Sequence, residues 1–179
     1  CHRIASYSRG ASLENVVSVL AMKETVKTYT VAEAKERMER YCNYQERCHK
    51  EVLQKLRQMR MIPEAIELII ATLIQENSLN EERFARSFAR GKFLYKKWGK
   101  VRIIRELKFR EISPYNIECA MQEIGDEYEE AFDMLAQKKA DTITEKNIQK
   151  ARRKLADYLL YKGWESQWVY RKAVEYTYS

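Results

Sequence analysis

An all-α fold of tandem three-helix repeats, three units stacked into an elongated, curved helical solenoid, is what this sequence predicts. Three observations carry the prediction. Only 5 Gly and 2 Pro punctuate 179 residues, which leaves little room for the tight turns of a β-sandwich. From Val31 onward, apolar residues recur at the i, i+3, i+4, i+7 spacing of one helix face. The third observation is a period. Leu56, Met61, Pro63, Ile66, Ile70 and Leu73 shift by 51 onto Leu107, Ile112, Pro114, Ile117, Met121 and Ile124. A shift of 103 carries them onto Leu159, Trp164, Ser166, Val169, Ala173 and Tyr176, and Val52, Ile103 and Leu155 correspond upstream. Units this short bury their apolar faces poorly alone, so stacking on neighbours must supply much of the stability.

The elements follow in order. Residues 1–29 read as an N-terminal arm outside the repeats, carrying Arg3, Arg9, Lys23 and Lys27. The apolar stretch from Val16 to Met22 is short, and Glu14 and Asn15 stand where the core of a secretory signal would begin. Repeat 1 spans 30–77. In repeat 2, 78–125, Ser78-Leu79-Asn80-Glu81 has the Ser-x-x-Glu form of a capping box and predicts a helix through Gly91. Trp98 to Arg110 predicts a second helix, with Val101, Ile104 and Leu107 on one face. Ser113-Pro114 opens a third, since Pro at the first helical position gives up only an N–H that was unpaired anyway. In repeat 3, 126–179, Thr142-Ile143-Thr144-Glu145 repeats the box before a long helix over 144–161.

Charge is unevenly placed along this frame. The chain carries 33 Lys and Arg against 26 Asp and Glu, a net +7, which favours an acidic partner. From Arg83 to Arg110 there are eleven basic residues and one acid, Glu106. Phe84, Phe88, Phe93, Tyr95, Trp98 and Phe109 are interleaved with them. Glu111 to Ala136 then holds eight acids and no base, and Lys146, Lys150, Arg152, Arg153 and Lys154 form a second basic cluster. Lys and Arg neutralise phosphates while exposed rings stack on bases. Phe84 and Phe88 lie four apart, opposite Arg83, Arg86 and Arg90, so these aromatics read as core. The basic run itself repels itself and asks for a polyanion or an acidic protein surface.

Catalytic and cofactor signatures do not emerge. There is no Gly-x-x-x-x-Gly-Lys-Ser/Thr loop and no Gly-x-Gly-x-x-Gly turn, so neither enzyme activity nor a cofactor is expected. Cys42 and His49 are seven apart, which would set both on one face of a continuous helix, yet two ligands do not complete a tetrahedral zinc site. The acids from Glu123 to Asp133 lack the order of a calcium loop and suit a helix start. The longest apolar run, Ile66 to Ile74, is too short to span a bilayer and Glu67 interrupts it. Four scattered Cys do not form a disulfide framework, and a cytoplasmic monomer away from membranes is expected.

The run Asn80-Glu81-Glu82-Arg83-Phe84-Ala85-Arg86-Ser87-Phe88 resembles the Asn-Asp/Glu-x-x-Phe-Ala signature of the RecX regulatory proteins. So do Lys97-Trp98-Gly99-Lys100, Ile103-Ile104-Arg105-Glu106-Leu107, and Arg153-Lys154 ahead of Leu159 and Lys162-Gly163-Trp164. The similarity runs from about Val31 to Tyr176. The chain departs from the family's Lys/Arg-Gly-Ile/Phe helix end where Met61 follows Arg60 and Ile112 follows Glu111. The resemblance implies tandem three-helix units that bind the RecA recombinase filament on single-stranded DNA, restraining its ATP hydrolysis, extension and strand exchange in DNA repair. Single-stranded DNA, with double-stranded DNA as a further candidate, is then a direct partner. The contact residues expected are Arg83, Arg86, Arg90, Lys92, Lys96, Lys97, Lys100, Arg102, Arg105, Lys108, Lys150, Arg152 and Arg153, with Trp98 as a stacking or core residue. The alternative is a stand-alone basic DNA-binding repeat protein without recombinase specificity.

Overall fold

A computed structural model describes residues 27–125 and 127–175. Among the described residues the chain is all helix. Three helices fill the first third: α1 (Val31–Tyr44), α2 (His49–Gln58) and α3 (Pro63–Gln75). The middle holds α4 (Glu81–Lys96), α5 (Lys100–Phe109) and α6 (Pro114–Gln122). The last three are α7 (Tyr128–Ala140), α8 (Ile148–Lys162) and α9 (Ser166–Glu175). The fold is a tandem of three-helix units, as the period predicts. The expected arm lies outside the described residues up to 26, as does Tyr176.

The boundaries show which local signals win. Thr30 opens α1 with a reciprocal capping box: its Oγ1 accepts from Glu33 N at 3.2 Å, and Glu33 Oε2 accepts from Thr30 N at 2.8 Å. Ser113 caps α6 by accepting from Asn116 N, with Pro114 in the first turn. The two boxes read at Ser78 and Thr142 do not form. Asn80 caps α4, its Oδ1 accepting from Arg83 N at 2.9 Å. Glu81 turns away and accepts from Ser113 Oγ at 2.8 Å and from the Asn116 amide. Likewise Asn147, not Thr142, caps the last long helix, which starts at Ile148; Glu145 accepts from Asn147 N and pairs with Lys154 at 3.1 Å. A short Asx side chain next to the helix outcompetes a hydroxyl further upstream. α4 also runs past Gly91 to Lys96.

The chain between α1 and α2 breaks the helix that would have put Cys42 and His49 on one face. Helix phase differs in α3 and α6 too. Ile69 and Ala120 are buried where Ile70 and Met121 are half-buried, so the inward face follows i, i+3, i+7. In α9 the aligned Ala173 is the buried residue.

The three second helices end alike. Arg60, Glu111 and Gly163, which correspond under the period, take φ of 58°, 62° and 87°. Two non-glycine residues therefore hold the left-handed turn that the family writes with glycine, at a steric cost that glycine avoids. Two clusters make the core. Ala34, Met38, Val52, Leu56, Ile69 and Leu73 anchor the first unit. One continuous cluster from Phe84 through Ile103, Leu107, Phe132 and Leu159 to Trp164 and Val169 joins the second and third, and Cys48 reaches into it from the first.

Candidate partner-binding surface

The turn from α4 into α5 is where the second and third units meet. The opening N–H groups of an α-helix have no acceptor inside the helix, and here the third unit supplies them. Gly99 N donates to Lys162 O at 3.0 Å and Val101 N to Gly163 O at 3.1 Å. Lys100 N donates to Tyr128 Oη at 2.8 Å, and that hydroxyl donates to Glu165 Oε2 at 2.8 Å. Burial pushes the Tyr128 phenol up, with the Glu165 carboxylate adding to it, so the proton needed for that donation is retained. Backbone meets backbone only because both turn residues lack side chains. A Cβ at Gly99 would run into the Gly163 carbonyl, and one at Gly163 into Arg102 Cβ.

Around this contact cations and rings alternate. The Arg102 guanidinium lies 4.0 Å from the Trp98 ring centre and 4.7 Å from that of Tyr161, and its Nη1 donates to Tyr161 O at 2.9 Å. Lys92 stands 5.1 Å from Trp98 and 5.2 Å from Phe88. Lys139 and Lys162 sit 5.1 and 5.7 Å from Tyr158, and Lys162 Nζ donates to Lys96 O at 3.0 Å. Trp98 is half-buried against the core. A related arrangement joins the first two units, where Lys50 Nζ donates to Phe109 O at 2.8 Å and lies 4.6 Å from the Phe109 ring.

The thirteen basic residues singled out in the sequence divide into two groups. Arg83 is tied to Glu46 at 2.5 Å, and Arg86 to Glu82 and Glu123 at 2.9 and 2.6 Å. Lys92, Lys100 and Arg102 sit over rings, Lys100 at 4.5 Å from that of Tyr128, and Arg152 Nη2 donates to Val174 O. Much of the self-repulsion of the basic run is thus answered within the chain. Arg90, Lys96, Arg105, Lys108 and Lys150 are exposed, as is Arg153, whose Asp157 partner is 3.8 Å away; Lys97, half-buried, takes the left-handed cap of α4. Of the aromatics, Phe84 and Phe93 are buried, whereas Tyr95 and Phe109 are 83% and 70% exposed. Rings at those two positions are open to a partner. Lys139, Lys162, Tyr158 and Tyr161 were not singled out as contacts, because Lys139 on α7 and the other three on α8 come together only through tertiary packing. The Lys162-Gly163-Trp164 run, which mirrors Trp98-Gly99-Lys100, was the available signal.

Cys42, Cys48 and Cys119 are buried free thiols, and burial pushes that of Cys42 up to about 11. Among the described residues, no group of three His, Cys, Asp or Glu gathers as a metal site. No helix there is long and apolar enough to cross a membrane.

Fold and junction define an all-helical tandem-repeat protein whose units join through helix termini and whose second and third units carry a basic, ring-studded surface. Residues 80–121 match the family description "RecX, second three-helix domain" and residues 126–172 "RecX, third three-helix domain". The chain belongs to the RecX family of regulatory proteins. It is 36% identical over 91 residues to the regulatory protein RecX of Pseudomonas savastanoi pv. phaseolicola, covering 50% of this chain. With the regulatory protein RecX of Oceanobacillus iheyensis it shares 26% identity over 162 residues, 89% of this chain. It spans 57% of the length of each of these relatives. The crystal structure of RecX from Lactobacillus salivarius superposes with a TM-score of 0.70 at 25% identity, over 83% of this chain and 97% of that one. A second regulatory protein RecX, at 23% identity, shares the fold with a TM-score of 0.70 over 94% of this chain and 81% of that one.

Proposed function

We propose that this protein regulates the RecA recombinase by binding its filament on single-stranded DNA, restraining ATP hydrolysis, filament extension and strand exchange. It acts as a cytoplasmic monomer, without catalysis of its own, through three repeats at 30–77, 78–125 and 126–179. Membership of the RecX family is the observation that carries this reading. The exposed Arg90, Lys96, Arg105, Lys108, Lys150 and Arg153 suit an acidic recombinase surface or the phosphates of the enclosed strand. Exposed Tyr95 and Phe109 beside them add rings of the kind that stack on bases.

The test is DNA-dependent ATP hydrolysis by the cognate recombinase on single-stranded DNA, with this protein added far below saturation of the DNA. Filament-directed regulation predicts inhibition at those levels, and the triple reversal Lys96→Glu, Lys97→Glu, Lys100→Glu should weaken it by about tenfold or more. Inhibition only after the DNA is coated would replace this reading with that of a plain DNA-binding repeat protein, steeply salt-dependent and indifferent to recombinase.

A further inference from the structure

We propose that the groove of the first repeat is a docking site for an acidic protein segment. Its counterpart in the second repeat shows what chemistry can wall such a groove. That counterpart, about 410 Å³, is lined in its own unit by Phe84, Ser87 and Lys96 and by a set of five, Phe88, Gly91, Lys92, Tyr95 and Arg110. Its other wall is Gln45, Glu46 and Glu51 of the preceding unit. The chain from the end of α1 into α2 thus walls it from outside and brings carboxylates, one of which, on Glu46, accepts from Arg83 Nε.

Moving that set of five back by 51 gives Arg37, Arg40, Tyr41, Tyr44 and Met59, and all five line the groove of the first repeat. Phe84, Ser87 and Lys96 instead shift onto Glu33, Glu36 and Gln45, which are not among its described lining residues. It is the same feature of the fold, but apart from Tyr29, just ahead of the unit, its described lining residues come from the first repeat, and its volume is about 710 Å³. The chemistry has changed to match an incoming acid. Arg37, Arg40 and Lys55 supply three cations, and no carboxylate stands among the described lining residues. Tyr29, Tyr41 and Tyr44 add rings and hydroxyls. The cations are weakly held: Arg37 lies 4.8 Å from the Tyr29 ring, and Arg40 meets Glu36 at 3.5 Å with both side chains about two-thirds exposed. Arg47 stacks on Tyr41 at 4.0 Å, and its buried Nε has no hydrogen-bond partner, which adds positive potential at the same wall. Cations lining a groove with no carboxylate among its described lining residues favour an anionic occupant. The wall that the preceding unit lends the second groove is acidic polypeptide, and the cations of the first groove are complementary to a protein segment carrying Asp or Glu. This site lies apart from the exposed cations of the second and third repeats and does not depend on the recombinase reading.

The experiment uses the full chain with neither recombinase nor DNA present, so its failure and that of the regulatory reading are separable. A fluorescein-labelled peptide of alternating Glu and Gln is titrated by fluorescence polarisation. Wild type is compared with Arg37→Glu/Arg40→Glu and with Lys138→Glu/Lys146→Glu, which makes the same charge change at exposed sites outside the groove. Docking in the groove predicts that the first variant alone loses about tenfold or more in affinity. Equal losses in both variants, or none in the first, overturn the proposal, since only net charge would then matter. A parallel titration with oligo(dT) gives the third outcome: if the groove variant loses that ligand and keeps the peptide, the groove takes nucleic acid and the proposal fails. Far-UV circular dichroism checks folding, and Arg40→Gln/Lys55→Gln is a gentler second variant with the same expected direction.

Discussion

Replacing Gly99 with Ala tests the junction most directly, because the perturbation is one methyl group at a place where backbone touches backbone. The new Cβ would overlap the Gly163 carbonyl, so the turns must separate. Separation weakens two bonds that cross the contact, from Gly99 N to Lys162 O and from Val101 N to Gly163 O. The third, from Lys100 N to Tyr128 Oη, is strained with them. Each such bond contributes about 0.5–1.5 kcal/mol net, and forcing extra volume into a tight contact costs about 1–3 kcal/mol. The variant should lose about 2–4 kcal/mol, a large part of the roughly 5–15 kcal/mol that holds a domain folded. Gly91 is the internal control. It lies inside α4, and a Cβ there meets nothing within 4 Å, so Gly91→Ala should gain about 0.5–1 kcal/mol from helix propensity. Urea unfolding followed by helical circular dichroism reads both, with a midpoint drop of about 1–2 M expected for the first. A Gly99→Ala protein that unfolds at or above the wild-type midpoint would refute the backbone-contact account.

Further expectations concern single residues. Arg60→Gly should raise stability by about 1 kcal/mol in a thermal melt, because an exposed residue at φ 58° is relieved of its Cβ clash; a destabilised variant would mean the Arg60 side chain contributes more than the turn costs. Leu107→Ala should cost about 2–5 kcal/mol, since Leu107 is fully buried in the core shared by the second and third units; an unfolding midpoint near wild type would argue against that shared core. Burial alone would raise the Glu81 carboxyl, but hydrogen bonds from Asn116 and Ser113 outweigh it and hold the group below the ordinary value of 4.5. Its contribution is therefore complete above 4.5 and is lost as pH falls through the lower folded value. Unfolding midpoints measured down that window should fall less steeply for Glu81→Gln than for wild type, and equal slopes would remove Glu81 from the acid response.

Part of this molecule is legible in local pattern alone. The Pro63 and Pro114 helix starts and the Ser113 cap follow from interactions within a few residues of chain. The failures are instructive for the same reason. Ser78 and Thr142 have the right spacing for capping boxes, but Glu81 is drawn to Ser113 and Asn116, 32 and 35 residues away. Likewise the self-repulsion read into the basic run took no account of Glu46 and Glu123, each 37 residues from the arginine it pairs with.

By itself the sequence determined that the chain is helical, that it repeats at a period near 50 residues, and that its positive charge concentrates in and after α4. These are properties of residue type and spacing, and a single helix face or charge run expresses them without help. Only the tertiary structure decided which cations remain open to a partner, because that depends on carboxylates and rings delivered from other helices. It also decided the meaning of Gly99 and Gly163. The left-handed φ of 87° already favours glycine at Gly163, but nothing in the backbone at Gly99 does, and its reason appears only when the two turns, some 64 residues apart, close to hydrogen-bonding distance.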